Sequence, residues 1–447
     1  MAQMIERIFG AGERMEEMVR QLFPQNRSLV GPGIKDGFRQ LATLFNTKPI
    51  FHHAKSGSTI GTWTVPKGWR LVSFQVKCLQ SGKGVIGASD TNLRVWSHSV
   101  SFNGVIGRTE FLEHVRVHGG NKDAIPYITA YYSDTWGFSM SQLEVDSLCD
   151  GPFEVRLHTE LENDELEIME VLIPGHSAEE IFFSTYLCHP SMVINELSGP
   201  VVAAEMINAI EKQKNFYSYR FVFIPETLGS IFYSHKFLYG SNRRVLHAFN
   251  LNCLGGFKDW SFLGTKDGNK YTDQIVRGYL GESVKNFIEY PFTSRGSDER
   301  QYCNPNINLP MVSIMRKKYH EYSEYHTNLD NLDFNSADIF EESLIIMVNL
   351  CNIIEKDFKV YTTEKSEPFM NKIFGSGQLG GQNHVGRNTS RQLCDFLIYA
   401  DGRTFFQICQ AIGVPLIQGL EILQLAADNS LVRLKRQKCT KLRKIQL

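Results

Sequence analysis

Between residues 153 and 362 the chain alternates apolar runs with helical stretches, and this alternation restricts the fold more than any other feature. After "FEVRLHTELENDELEIMEVLIPG" come "EIFFSTYLC", "SGPVVAAEMINAIEKQ", "YRFVFIP", "GSIFYSHKFLYG" and "VLHAFNLNCLGG". Strands alternating with helices predict an α/β unit, a mainly parallel mixed sheet flanked by helices. In such sheets the groups that bind or react gather where strands end and loops begin.

With 447 residues, 42% of them hydrophobic, the chain can fill more than one domain. Met4, Ile5, Ile8, Phe9, Met15, Met18, Val19 and Leu22 recur at three- and four-residue steps, so residues 1–50 are expected to form helices packed on the core. Residues 51–152 change texture to short β-rich runs, "TWTVP", "RLVSFQVKCL", "RVWSHSVSF" and "YITAYY", the pattern of a small inserted β-domain. The α/β core then occupies 153–362, and 363–388 has the Gly, Ser and Asn bias of a linker. Residues 389–447 place three helices and a β-like end in the outline of a winged helix-turn-helix.

Forty-seven basic residues against 48 acidic ones leave no overall footprint for nucleic acid or an anionic membrane. The tail "RLKRQKCTKLRK" is basic throughout, but the helix "PLIQGLEILQLAAD" before it carries two acids and no base, which argues against reading of DNA. That module suits a protein contact or a homo-oligomer. No run reaches the roughly 18 apolar residues of a membrane span, and the nine scattered cysteines read as reduced thiols. A cytoplasmic protein with no membrane partner is the resulting expectation.

Four stretches carry candidate chemistry. His189 ends the strand "IFFSTYLC" and is followed by Asn195 and Glu196; Glu226 stands at the mouth of "FVFIPETLGS". "RGSDERQYCNP" holds Asp298, Glu299 and Arg300, and "HEYSEYHTNLDNLDF" holds His326, Asp330 and Asp333. Singly each has a structural explanation: a strand-closing histidine, a helix cap, a solvated turn. In combination they offer imidazoles for a metal, a carboxylate for general-base work, and a carboxylate, Asp330, to orient a ligand histidine.

In that order, with Asn252 in "FNLNCLGG", these stretches resemble the zinc aminopeptidases typified by bacterial leucyl aminopeptidases, over roughly residues 155–360. Through "IPETLGS", "GSDERQYCNP" and "EYHTNLDNLD" the whole chain resembles bacterial aminopeptidase-like proteins with a β-rich insertion and a C-terminal winged helix, often named as polysaccharide-biosynthesis proteins. The resemblance implies a zinc-peptidase-like fold.

In the aminopeptidases two zinc ions are held by a histidine, a bridging aspartate, a glutamate, a second aspartate and a last histidine, with a further glutamate as base. His189, His326 and Glu226 match the two histidines and the base, whereas Asn195, Thr227 and Asn252 stand where acidic ligands are required. Three missing charges disfavour two dications. The resemblance therefore implies one zinc ion on His189 and His326, completed by Asn195, Glu196 or Asp298. Glu226 would act as base, Asp298, Glu299 and Arg300 would shape the substrate pocket, and the substrate would be a small peptide or an amide-bearing glycan intermediate. Loss of the same three charges also fits a peptidase-fold binding protein without hydrolytic activity.

Overall fold

The computed structural model describes residues 8–86, 91–374 and 385–436. They divide into two compact units, residues 1–273 with 286–345, and residues 274–285 with 346–447.

The first unit is built on an eight-stranded mixed sheet. Its strands in chain order are β1 (Ile50–Lys55), β2 (Glu165–Ile173), β3 (Glu179–Tyr186), β4 (Ser218–Ile224), β5 (Arg244–Leu251), β6 (Ser261–Leu263), β7 (Ile288–Tyr290) and β8 (Met311–Met315). They lie side by side as β1-β2-β4-β3-β5-β8-β6-β7. The central strands β4, β3, β5 and β8 run parallel. β3 and β4 are buried along their whole length, as continuous apolar runs must be when helices cover both faces. Phe183 stacks on Phe221 at 4.6 Å and on Phe249 at 5.1 Å, tying the three middle strands together.

The helix Ser198–Ile210 has no exposed residue. Gly199 is required there, because a Cβ would stand 2.4 Å from the Leu251 carbonyl oxygen. Glu205 on this helix receives Arg14 at 2.7 and 2.8 Å, which fastens the N-terminal helix Ala11–Leu22 through the buried Met15, Met18, Val19 and Leu22. Phe9, expected on that face, is instead 82% exposed; Met4 and Ile5 lie outside the described residues.

A four-stranded antiparallel sheet, ordered Gly84–Ile86, Gly68–Cys78, Phe153–Glu162, Phe102–Ile106, surrounds a core that includes Trp69, Phe111, Trp136, Phe138 and Phe153. Two strands depart from the expected boundaries. Ile50–Lys55 is the edge strand of the large sheet, and Phe153–Glu162, expected in the core, pairs over its whole length with Gly68–Cys78. Cys78 and Cys149 form a disulfide, which corrects the reading of all nine cysteines as thiols. The cause is local: Cys78 sits opposite Phe153, so the approach to that strand carries Cys149 alongside. The cysteines thus give no argument for a cytoplasmic location.

The second unit contains helices Val385–Ile398, Phe405–Ile412 and Leu416–Asp428 with a three-stranded antiparallel sheet, Asp401–Thr404, Lys359–Thr362 and Val432–Lys435. Its central strand, Lys359–Thr362, comes from the end of the expected core. Arg436 of the basic tail packs over Phe358 at 3.9 Å; Lys438, Lys441, Arg443 and Lys444 lie outside the described residues, as do residues 375–384 of the expected linker. Among the described residues no single helix is long and apolar enough to cross a membrane.

His98 joins the N-terminal segment to the β-rich one. Its Nδ1 lies 2.8 Å from the Ser28 hydroxyl and its Nε2 lies 3.2 Å from the Lys67 carbonyl. Burial lowers its pKa to about 4, against the pull of that carbonyl. Below pH 6.5 the unfolded chain takes up this proton and the folded chain does not, so stability present above 6.5 is lost as pH falls toward 4. Relative to His98→Asn, the parent should lose about 2 kcal/mol between pH 7 and 4.5, read from urea unfolding of both proteins; parallel pH profiles would refute a buried neutral His98.

Candidate functional site

Because β4, β3 and β5 are adjacent and parallel, their C-terminal ends open onto one place. The chain leaves β3 into Leu187, Cys188 and His189, leaves β4 into Pro225 and Glu226, and leaves β5 into Asn252 and Cys253. His189 Nε2 stands 3.7 Å from Glu226 Oε2. The His326 ring lies 5.0 Å from the His189 ring, centroid to centroid. The sequence-predicted histidines and base are therefore brought together.

Glu196 takes a different part from the one expected. Residues Val193–Leu197 form a fully buried π-helical turn ahead of helix Ser198–Ile210, a distortion typical of functional positions. It delivers Glu196, with no exposure, beneath the end of β3. Glu196 Oε2 accepts the backbone N–H groups of Cys188 at 2.9 Å and His189 at 3.0 Å, and Oε1 forms an ion pair with His189 Nδ1. A carboxylate on one ring nitrogen fixes the ring and leaves the other nitrogen for a metal. Glu196 is thus an orienting group and Nε2 is the nitrogen available to a ligand.

Cys188 Sγ, 3.3 Å from His189 Nδ1, completes a compact Cys-His-Glu group whose donor atoms lie within 4.8 Å of one another. Two of its members are already engaged with each other, His189 Nδ1 with Glu196 Oε1. With no ion bound, burial pushes the Cys188 thiol up to about 11, and its sulfur receives the Glu226 N–H at 3.3 Å.

Asp330 also departs from expectation. Its carboxylate accepts the Ile194 and Asn195 N–H groups at 2.7 and 3.0 Å, capping the π turn instead of orienting the His326 ring. Burial raises it to about 7 despite those donors. Asp298 likewise serves backbone: Oδ1 accepts the Thr227 N–H at 2.8 Å and the Ser230 hydroxyl at 2.6 Å. Thr227 needs this hold, since its φ of 63° is costly for a β-branched residue. Glu299 is consumed by the Gly296 and Ser297 N–H groups at 3.0 Å, the Tyr319 hydroxyl at 2.7 Å and the Asn250 amide at 3.1 Å. Arg300, bonded to Thr227 Oγ1 at 2.8 Å and exposed, remains free to meet a substrate.

The electrostatics separate the two histidines. Burial opposes charge on His189, but Glu196 outweighs it and holds the ring's pKa well above the ordinary value. Burial, the charge of His189 and that of His320 keep His326 well below its ordinary value, as a neutral imidazole with a lone pair. Burial and Glu196 raise Glu226 against the pull of His189 and Arg300, the direction a general base working near neutrality requires.

Asn195 Oδ1, both polar atoms of the Asn252 side chain and Asp298 Oδ2 are buried without a hydrogen-bond partner, an uncommon condition that calls for a physical reason. Among these, Asn195 Oδ1 is the neutral oxygen donor on the π turn. Two dications do not fit, because Asn195, Thr227 and Asn252 contribute no charge to compensate them. One ion fits the neutral donors His326 and Asn195 Oδ1 together with His189 Nε2, whose proton, favoured by Glu196, it would have to displace.

Sequence reasoning missed the residues that frame this site. Tyr127, from the β-rich segment, packs its ring 4.5 Å from His189 and 5.6 Å from His326. Its N–H donates to the His326 carbonyl at 2.8 Å, and Pro126 bridges Thr327. Arg27, wholly buried, donates to the His189 carbonyl at 2.9 Å. The Ser297 hydroxyl holds Glu226 Oε1 at 3.1 Å. Cys188 had a visible signal, its place beside His189; Tyr127 and Arg27 had none.

Comparison with known proteins agrees with this architecture. Residues 16–357 match the family model described as a domain of unknown function, DUF4910. A Clostridium acetobutylicum protein, provisionally named for polysaccharide biosynthesis with an aminopeptidase-like domain, is 34% identical over 361 residues, 80% of each chain. The crystal structure of a provisionally named peptidase from Clostridium acetobutylicum superposes with a TM-score of 0.87 at 30% identity, covering 97% of this chain and 99% of that one. A zinc aminopeptidase from Bacillus subtilis shares the fold at a TM-score of 0.53 and 11% identity, over 76% of this chain and 94% of its own. The mixed α/β sheet, the order of the strand-end residues and these matches agree, and the chain belongs to the DUF4910 family of aminopeptidase-like proteins.

Proposed function

We propose that the chain is a hydrolase of peptide or amide bonds that works with a single metal ion, zinc by preference, on His189 and His326. The observation that carries this reading is the setting of His189, with Nδ1 taken by Glu196 and Nε2 directed toward Glu226 at 3.7 Å. When bound, the ion supplies Lewis-acid polarisation of the substrate carbonyl. Glu226, steadied by Ser297, accepts the proton of the attacking water and returns it to the leaving amine. Tyr127 and Tyr325 wall the two histidines and limit access of bulk water. Arg300 at the mouth suits a substrate carboxylate. A small peptide or an amide-bearing glycan intermediate is the substrate class; the second option draws support from the polysaccharide-biosynthesis name of the Clostridium acetobutylicum relative.

A second reading, a binding protein without hydrolysis, is favoured by Asn195, Thr227 and Asn252. In both readings the β-rich segment is an inserted domain that builds one wall of the site. The C-terminal unit is a winged helix-turn-helix used for protein contact or self-association, because the helix Leu416–Asp428 has no base with which to read DNA.

Elemental analysis of protein purified without chelator should give one zinc per chain, and amide-substrate hydrolysis should disappear on chelation and return with zinc. Glu226→Gln should keep the ion while kcat falls by a factor of about 100 or more. No metal, or equal behaviour of Glu226→Gln and the parent with every peptide and amide substrate, would leave the binding-protein reading. Glu196→Gln should weaken zinc affinity about 10- to 100-fold, measured by competition with a chelating dye; an unchanged affinity would remove Glu196 from its orienting role.

A further inference from the structure

A cavity of about 380 Å³, with Ile231 and Ile307 beside its polar side chains, lies in the first unit and is not used by the chemistry above. Ser234, His235 and Tyr239 line it from the segment that follows helix Leu228–Tyr233, and Gln301, Asn304 and Asn306 from the stretch that begins with helix Glu299–Tyr302. Gln301 follows Arg300 in the same short helix, Glu299–Tyr302. Its volume falls in the range of small-molecule sites, roughly 300–1,000 Å³.

The lining has a distinct chemistry. Three carboxamides, each both donor and acceptor, face a serine and a histidine, and among the described residues no carboxylate, lysine or arginine lines the cavity. Ser234 is only 2% exposed, and its hydroxyl has no hydrogen-bond partner. A buried polar group left unmatched within the protein calls for a physical reason, and a ligand in the adjoining cavity supplies one.

An aromatic pair includes one residue of a hairpin that touches this lining. The hairpin Thr59–Ile60 and Trp63–Thr64 reaches the cavity lining at Gly61, where a Cβ would stand 3.2 Å from the His235 ring. Trp63 and Tyr132, 39% and 56% exposed, meet edge to face at 6.3 Å, and the Tyr132 hydroxyl is fixed on the Thr64 carbonyl at 2.7 Å. Two large rings held in place at a solvent surface are a ready stacking platform.

We propose that this cavity and the Trp63–Tyr132 pair bind a neutral sugar. A pyranose presents hydroxyls that both donate and accept, which the carboxamides and Ser234 match, and C–H faces that pack on aromatic rings. The absence of lining cations selects against uronic acids and sugar phosphates. This binding is independent of whether the His189 site cleaves a bond.

The test uses the full chain with glucose, galactose, mannose and N-acetylglucosamine, each set against glucuronic acid and glucose 6-phosphate, by saturation-transfer NMR and calorimetry at neutral pH. At least one neutral sugar should bind, and the two anionic sugars should bind at least about tenfold more weakly. Asn304→Leu and Gln301→Leu, with unchanged Tm, should each weaken binding about fivefold or more. Trp63→Ala provides a second probe outside the cavity lining and should weaken it similarly. Glu226→Gln should bind as the parent does, which separates this result from the fate of the hydrolase reading. Failure of all four neutral sugars, equal binding of the anionic ones, or parent-like affinity in the Asn304, Gln301 and Trp63 variants would overturn the proposal.

Discussion

A carboxylate with no exposure to water holds the centre of this molecule together. Glu196 has two backbone amides on one oxygen and an imidazole on the other, which is how a buried charge is made tolerable. Everything around it follows from keeping that charge matched. The π turn is needed to bring Glu196 under the end of β3, Asp330 is needed to satisfy the amides of that turn, and Arg27 brings a compensating cation onto the His189 carbonyl. Burial lowers the Arg27 pKa to about 10, against the attraction of Glu196, so the guanidinium remains charged near neutral pH.

The same arrangement explains why the site stands at the middle of the sheet. Parallel strands buried on both sides give a rigid base, and the loops that leave them inherit its precision. His189, Glu226 and Asn252 are each within three residues of a strand end. Small shifts in their spacing would require the stacked Phe183, Phe221 and Phe249 to repack.

The parts of the fold that were legible in the sequence are those with local causes. Buried strands are continuous apolar runs, so β3, β4 and β5 could be placed, and with them His189 and Glu226. The β-rich boundaries were not legible, because Ile50–Lys55 and Phe153–Glu162 are both partly exposed strands and nothing in either states which partner it will choose. The carboxylates were the least legible of all. Asp298, Glu299 and Asp330 occupy the right stretches, but a motif does not reveal whether a carboxylate faces a substrate or a backbone amide; here all three face backbone or buried polar groups. Arg27 acts across a separation of 162 residues, where sequence spacing carries no information.

The pairing of Ile125–Tyr127 with His326–Asn328 places a histidine of the site under the control of a distant segment. The Asn328 N–H donates to the Ile125 carbonyl at 3.0 Å, the Ile125 N–H donates to Asn328 Oδ1 at 2.7 Å, and His326 itself sits at a φ of 55° that its own neighbours do not favour. Deleting the β-rich region would therefore not trim an appendage from a finished enzyme fold; it would take away the template on which one histidine is shaped. The two stretches, 203 residues apart in the chain at Ile125 and Asn328, therefore act as one mechanical part: a shift of either backbone moves the His326 ring.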